Sequence, residues 1–342
     1  RKVGASEQNA NIAATHLSEA NLLGHDSHGI WRIAQYAEEI KENRLDPKGI
    51  PEVVNENNAV AQVRGNRTFG QVVSKFSTEL AIEKAKVYGI GLVRMYSLAH
   101  TGRLGAWTEM AAKQGMAAVM YSGNVGPGGI APFGGKEGIM STNPFSMAYP
   151  SSSRYPIVLD FATSTGLASK MPEVLSQRYG ENSFSEPWIV NKHGKPSSDI
   201  SELSDGGAIL PMGGLSSGHK GYAMSFMVML FGALIGNLGN PEKTIVNTQQ
   251  YNGSSIIAID LSKFLLLEDI LEQTDVITDN IKSTPTMEGF DEVLYPGELE
   301  YKTSLERKSK GVPITPGPRW DGIIKIVEDC GLYPDLKRYL FP

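Results

Sequence analysis

Cysteine is almost missing from this 342-residue chain: Cys330 stands alone and cannot close an internal disulfide, which fits a reducing compartment. No cationic neighbour flanks it in sequence, so it reads as a small apolar filler rather than an activated thiol. An excess of positive charge is missing too. Lys and Arg number 32 against 37 Asp and Glu, a net charge of -5, and no basic run stands out. Binding to a phosphate backbone needs clustered cations, so nucleic acid is not an expected partner. Nor is there a hydrophobic run of membrane length. The longest, Tyr222 to Gly236, falls short of the roughly 20 residues a span requires and reads as a buried helix. Arg1 to Ala10 is polar, so no signal peptide is expected and the expected location is cytoplasmic. Repeats and low-complexity segments are absent. What remains, 41% hydrophobic and 20% charged, is the balance of an ordinary folded chain, long enough for two or three domains.

Apolar spacing predicts helices over Ser6 to Leu23, Ile30 to Ile40, Ser74 to Val87, Leu104 to Gln114 and Glu268 to Ser283, with a last one around Ile323 to Asp329. Asp26 and Ser27 are good capping types and predict the start of the second helix. Strands are expected at Ala59 to Val63, Gly91 to Tyr96, Met116 to Tyr121, Phe145 to Tyr149, Ile157 to Phe161 and Ser255 to Asp260. Gly123 to Gly138 and Gly206 to Gly221 are rich in glycine and predict loops, the second leading into the long apolar helix. Strands and helices mix without the regular alternation of a doubly wound sheet. The expected organisation is a helical domain over 1–58, completed by 285–342, around a central α/β domain over 59–284.

Familiar nucleotide signatures fail. Gly126-Pro-Gly128-Gly-Ile-Ala131 matches a dinucleotide fingerprint, but Pro132-Phe-Gly134-Gly135 follows and cannot open a helix toward a pyrophosphate. In Gly213 to Gly221 the lysine falls one place late for a P-loop, and the Ser or Thr that would hold magnesium is absent. His25-x-x-His28 has no Cys or Glu set nearby at ligand spacing, so no metal is expected.

Other segments carry chemistry. In Gly24-His-Asp-Ser27-His28-Gly-Ile-Trp-Arg32, a helix starting near His28 would place His28 and Arg32 on one face. An arginine fork grips a carboxylate while histidine exchanges a proton with the neighbouring oxygen, which suits a 2-oxo acid. The plain alternative is a capping histidine and a solvated arginine, and residue types alone favour it. His100-Thr-Gly102-Arg103-Leu-Gly105 follows a strand, where glycine permits close approach to a ligand. Thr142-Asn143, Asp160 with Thr163 and Ser164, His219-Lys220, and Gly297-Glu298 are further polar clusters. Each alone is more often a turn or a cap than a site.

In this order and spacing, GHDSHGIWR, HTGRLG, APFGGKEGIMSTNP, LDFATS, GGAILPMGG with HKGYAM, and YPGELE resemble the type-2 malate/L-lactate dehydrogenase family. Its relatives include sulfolactate, ureidoglycolate and diketogulonate dehydrogenases and a cyclic-imine reductase. The likeness runs from about Gly4 to Trp320, and HTGRLG with its glycine-rich loop looks closest to the hydroxycarboxylate dehydrogenase B branch. It implies a mixed α/β, non-Rossmann fold of the L-sulfolactate dehydrogenase type and a homodimer. It implies hydride transfer between NAD, or NADP, and C2 of a small 2-hydroxy or 2-oxo acid. His28 is then the acid/base beside Ser27, Arg32 binds the carboxylate, and His100 is the base in some relatives. Thr142, Asn143, Asp160, Thr163, Ser164, His219, Lys220, Gly297 and Glu298 match cofactor-lining stretches, and His100 borders the cofactor as well. The alternatives are an imine reductase on a cyclic 2-carboxylate, or a non-catalytic nucleotide-binding protein of this fold. Three departures stand out. Arg1 falls inside the family's usual first domain, so an opening helix is expected to be missing. Ala168-Ser169-Lys170 replaces the usual Gly-Lys. The loop before Pro132 lacks the lysine of ureidoglycolate dehydrogenases.

Overall fold

The structure, a computed structural model, describes residues 1–124, 128–166, 186–234, 252–314 and 317–340. Its framework is a seven-stranded mixed sheet in the order β1-β2-β3-β10-β4-β5-β6. β2 (Val60–Arg64) leads through α3 (Gly70–Tyr88) to β3 (Ile90–Leu98), and these two strands run parallel. The other neighbours are antiparallel: β1 (Glu52–Asn57), β4 (Met116–Gly123), β5 (Phe145–Tyr149), β6 (Ile157–Phe161) and β10 (Asn252–Asp260). β10 inserts between β3 and β4, so the C-terminal half of the chain supplies a central strand. A Rossmann sheet is built from parallel strands, so this one excludes it. Gly128 to Ala131 opens no helix: Ile130 instead bridges Met140 and Ile209. A smaller sheet joins β8 (Pro196–Ser197), β7 (Ile189–Val190) and β9 (Ala208–Ile209).

Burial alternates along the strands, with Gly91, Val93 and Met95 of β3 and Met116, Ala118 and Met120 of β4 turned inward, as the two-residue period requires. α3 lays Val73, Ala81, Ile82 and Ala85 on this face, and α4 (Gly105–Ala112) adds Trp107 and Ala111. α3 lies so close to β3 that a Cβ on Gly91 would stand 2.0 Å from the Ala81 carbonyl oxygen.

The N-terminal helices meet the tail. α1 (Glu7–Leu22) starts at Ser6, whose hydroxyl accepts the Asn9 amide at 3.2 Å. The next helix corrects the sequence reading. Asp26 to His28 form a separate 3-10 turn, and α2 (Arg32–Lys41) begins at Arg32 without a side-chain cap. Asp26 cannot cap it because its carboxylate takes the Arg307 guanidinium (2.7 and 3.0 Å) and the Asn21 amide (2.6 Å). Arg307 belongs to α7 (Glu298–Lys310), which with α6 (Leu267–Lys282), α8 (Pro318–Asp329) and α9 (Tyr333–Leu340) forms the C-terminal helices. α7, and the β1 half of the hairpin that straddles residue 58, had no sequence expectation.

A second correction concerns the glycine-rich stretch 206–221. α5 (Gly214–Met229) starts inside it, at left-handed Gly214 directly after left-handed Gly213, so His219 and Lys220 are helical residues rather than a loop before the helix. The glycines serve close packing: a Cβ on Gly221 would come 2.1 Å from the Met212 carbonyl oxygen. The apolar run continues as a π-helical turn, Leu230–Leu234, and its expected end at Gly236 lies outside the described residues.

His16 ties α1 to α4. Its ring stacks on Trp107 at 4.9 Å, and its Nε2 accepts the Arg103 amide at 2.9 Å. Burial, with the charge of Arg103, lowers its pKa to about 3.

Two outcomes follow from this packing. Gly91→Ala should lower unfolding free energy by about 2 kcal/mol or more, because two backbones would have to part; denaturant titration measures it. The folded pKa of His16 lies below its ordinary 6.5, so its stabilising contribution is complete above that pH and lost as pH falls toward about 3. His16→Gln keeps an acceptor for Arg103 but does not titrate, and should show a smaller drop in Tm between pH 6.5 and 4 than the parent protein.

Candidate active site

The 3-10 turn that carries Ser27 and His28 is shaped by Asn21 of α1. Its side-chain oxygen accepts the Ile30 amide at 2.8 Å, and a Cβ on Gly29 would stand 2.1 Å from that oxygen. Ser27 Oγ lies 3.0 Å from His28 Nδ1. Arg32 Nε donates to the Ser27 carbonyl (2.8 Å), and its Nη1 donates to Gln35, which donates to Glu39. His28 and Arg32 therefore do not share a helical face. They are brought together by Ser27, which touches both.

His100, at the end of β3, packs its ring on His28 with centroids 5.4 Å apart and planes 27° from parallel. Tyr36 Oη sits 3.0 Å from His100 Nδ1, and Gln71 Nε2 donates to Tyr36 Oη at 2.6 Å. The Gly102 amide also donates to His100 Nδ1, at 3.3 Å. Gly102 is left-handed (φ 75), and the volume a Cβ would need is filled by His16 Nε2, 2.0 Å away. Only glycine fits there. Burial first, and then the charge of Arg32, hold both His28 and His100 well below the ordinary histidine range, so both rings are neutral. Burial pushes Tyr36 up to about 12, so it keeps its proton. Arg32 Nη2, His28 Nε2 and His100 Nε2 have no hydrogen-bond partner among the described residues, and none is a sealed polar atom.

The second group gathers around the start of α5. Thr163 donates its hydroxyl to the carbonyls of Thr142 and Asn143, both at 3.0 Å. Asn143, fully buried with φ 38, donates to Ser225 of α5 (3.1 Å) and accepts the Asn124 amide (3.2 Å). Ser164 donates to the Gly166 carbonyl at 2.6 Å and bridges Pro211. These hydroxyls and this amide build the framework. His219 lies edge-on to Phe133 at 5.8 Å and, like Lys220, is exposed on α5. Residues 168–170 lie outside the described segments.

Asp160 serves the loop that follows His100. From the end of β6 its Oδ2 accepts the first amide of α4, Gly105, at 2.6 Å, so it caps the helix that follows Thr101 to Arg103. Burial raises its pKa to about 6, against the pull of Arg103 and the Gly105 amide. Gly297, left-handed at φ 93, precedes the first turn of α7, and a Cβ there would stand 3.1 Å from the Val158 amide nitrogen of β6. Glu298 is not brought to either group. Lys282 donates to both its oxygens (2.7 and 2.6 Å), the Tyr295 amide donates at 3.2 Å, and it lines a separate cleft of about 970 Å³ together with Lys302. Two residues on, and so on another face of the helix, Glu300 reaches His25 at 3.6 Å.

Sequence reasoning missed Tyr36, Gln71, Asn21 and Glu300. Tyr36 was within reach, because it falls four residues after Arg32 on a helix. Asn21 and Gln71 gave no signal beyond being polar within helical patterns.

The model of the family described as malate/L-lactate dehydrogenase matches residues 1–319. L-sulfolactate dehydrogenase of Methanocaldococcus jannaschii is 35% identical over 311 residues, covering 90% of this chain and 87% of that protein. Hydroxycarboxylate dehydrogenase B of Escherichia coli K12 is 30% identical over 336 residues, covering 97% and 91%. The crystal structure of malate dehydrogenase from Entamoeba histolytica superposes with a TM-score of 0.86 at 28% identity, covering 96% of this chain and 93% of that one. With its mixed sheet, its HDSH turn and its HTGRLG loop, the chain belongs to the malate/L-lactate dehydrogenase family.

Proposed function

We propose that this chain is a nicotinamide-dependent 2-hydroxyacid dehydrogenase acting on a small malate- or lactate-like acid. The observation that carries the reading is the convergence of neutral His28 and charged Arg32 on Ser27, each with a nitrogen that has no hydrogen-bond partner among the described residues. A 2-hydroxy acid presents a carboxylate and a hydroxyl on adjacent carbons, which matches a cation beside a base.

The donors present suit a phosphate-bearing cofactor. α5 starts without a side-chain cap, at the second of two left-handed glycines, and exposes His219 and Lys220 one to two turns in. A bound nicotinamide takes up or returns hydride at C2, and the rest falls to the chain. During oxidation Arg32 Nη2 holds the carboxylate and orients C2. His28 Nε2 removes the hydroxyl proton while the Nδ1 hydrogen rests on Ser27 Oγ; in the reverse direction the imidazolium returns that proton. NAD, with NADP as the other possibility, and the homodimer come from the family resemblance, and a cytoplasmic location from the lone cysteine. No helix among the described residues is long and apolar enough to cross a membrane.

Assays with NADH and NADPH against pyruvate-type acids, a sulfonated acid and a cyclic imine carboxylate test the reading; turnover of the imine alone would replace it. His28→Ala should lower kcat by about 10²–10⁴-fold with cofactor affinity unchanged. Arg32→Lys should mainly raise KM for the acid, because the planar fork is lost. A bound carboxylate offsets the Arg32 charge, one of the causes that hold the His28 pKa down. The acid limb of kcat for oxidation should therefore lie at higher pH than that of kcat/KM.

A further inference from the structure

The two stacked imidazoles are not equivalent, and the hydrogen atoms around them say why. We infer that Tyr36 and Gly102 are positioning residues that lock His100 as its Nε2–H form, making it a fixed hydrogen-bond donor to the substrate's C2 oxygen and leaving proton exchange to His28. This rests on the dehydrogenase reading above and assigns separate roles within it.

The Gly102 amide is unambiguous: a backbone N–H can only donate, and it points at His100 Nδ1 from 3.3 Å. Nδ1 must therefore carry a lone pair, and the hydrogen of the neutral ring sits on Nε2. With Nδ1 holding a lone pair, the Tyr36 hydroxyl 3.0 Å away donates to it, while the Tyr36 oxygen accepts from Gln71 Nε2 at 2.6 Å. The direction of the Tyr36 contact is set by the Gly102 amide and not by Gln71, whose buried Oε1 has no partner among the described residues. The chain Gln71 to Tyr36 to His100 is buried over its first two members, where an unmet donor is costly.

A ring that already receives two donors on Nδ1 has a poor claim to be the base. To accept a proton on Nε2 it would first have to lose the hydrogen there, and the displaced hydrogen could go to Nδ1 only by breaking both contacts. His28 carries no such restriction. Its Nδ1 faces a serine hydroxyl, which donates or accepts as needed, so His28 cycles between neutral and protonated forms without rearrangement. The resulting division is chemically balanced. In reduction C2 gains hydride from the nicotinamide, the C2 oxygen gains a proton from His28, and the His100 hydrogen bond stabilises charge building on that oxygen without being transferred.

The test has a solution arm and a kinetic arm. Nitrogen NMR of uniformly labelled protein without ligand, with His100 assigned by its loss in His100→Gln, reads the tautomer directly. A protonated Nε2 and an unprotonated Nδ1 are expected; a protonated Nδ1 overturns the inference even if the enzyme proves to be a dehydrogenase. In Tyr36→Phe the His100 Nδ1 resonance should move, and kcat should fall about tenfold with cofactor affinity retained. Glutamine can donate but cannot act as a base, so His100→Gln should keep turnover within about tenfold of the parent, while His100→Phe loses about 10²-fold. His28→Gln should lose 10²–10⁴-fold. A His100→Gln enzyme as impaired as His28→Gln would make His100 the base and overturn the assignment. If no acid or imine is turned over by the parent protein, the dehydrogenase reading fails, and the tautomer still tests the hydrogen-bond chain by itself.

Discussion

Everything at this site depends on keeping imidazoles neutral beside guanidiniums. His16, His28 and His100 lie within one cluster with Arg32 and Arg103, and burial combined with those charges lowers all three pKa values. A protonated ring here would meet cations without bulk water to screen them, so the folded state selects the uncharged form. Neutral rings have one donor and one acceptor each, and the surrounding hydrogen bonds then decide which nitrogen does what. His16 gives its acceptor to the Arg103 amide, His100 gives its acceptor to Tyr36 and Gly102, and His28 shares a nitrogen with Ser27.

The close approaches that fix these rings explain where glycine is needed. Gly29 lies against Asn21, Gly102 against His16, and Gly70 brings the start of α3 to the His100 carbonyl, where a Cβ would come within 2.3 Å. The Gly102 contact joins elements remote in sequence, while those of Gly29 and Gly70 join neighbouring ones. The clamp of Arg307 on Asp26 extends the same logic to the C-terminal helices, so that the turn bearing His28 is held from both ends of the chain. Rigid placement of this kind lets a proton acceptor and a carboxylate anchor meet a substrate without reorganising.

Much of this was legible in the sequence. The strands Phe145–Tyr149 and Ile157–Phe161 and the helix Leu267–Lys282 follow from hydrophobic period and turn residues, because local burial patterns set them. The insertion of β10 between β3 and β4 does not, since strand order is a long-range choice that side-chain alternation leaves open. His28, Arg32 and His100 were found as candidates because their chemistry and motif order stood out. Their geometry was misjudged where a local rule met a tertiary competitor: Asp26 has the composition of a helix cap, and Arg307 takes it. Glu298 lies away from both groups, paired with Lys282, while Glu300 on another face of α7 reaches His25: a motif marks a stretch, and helical rotation sets where each carboxylate points. The partners of His100 were invisible because a buried Tyr and Gln on two helices become a relay only once those helices pack.

The central claim is that Arg32 and His28 converge on one bound acid. A crystal structure of the protein with oxidised nicotinamide cofactor and oxamate, an unreactive 2-oxo acid mimic, tests it most directly. The account requires the oxamate carboxylate within hydrogen-bond reach of Arg32 Nη2, and its carbonyl oxygen within reach of both His28 Nε2 and His100 Nε2. An oxamate bound elsewhere, with Arg32 and His28 facing solvent away from the nicotinamide ring, would contradict it.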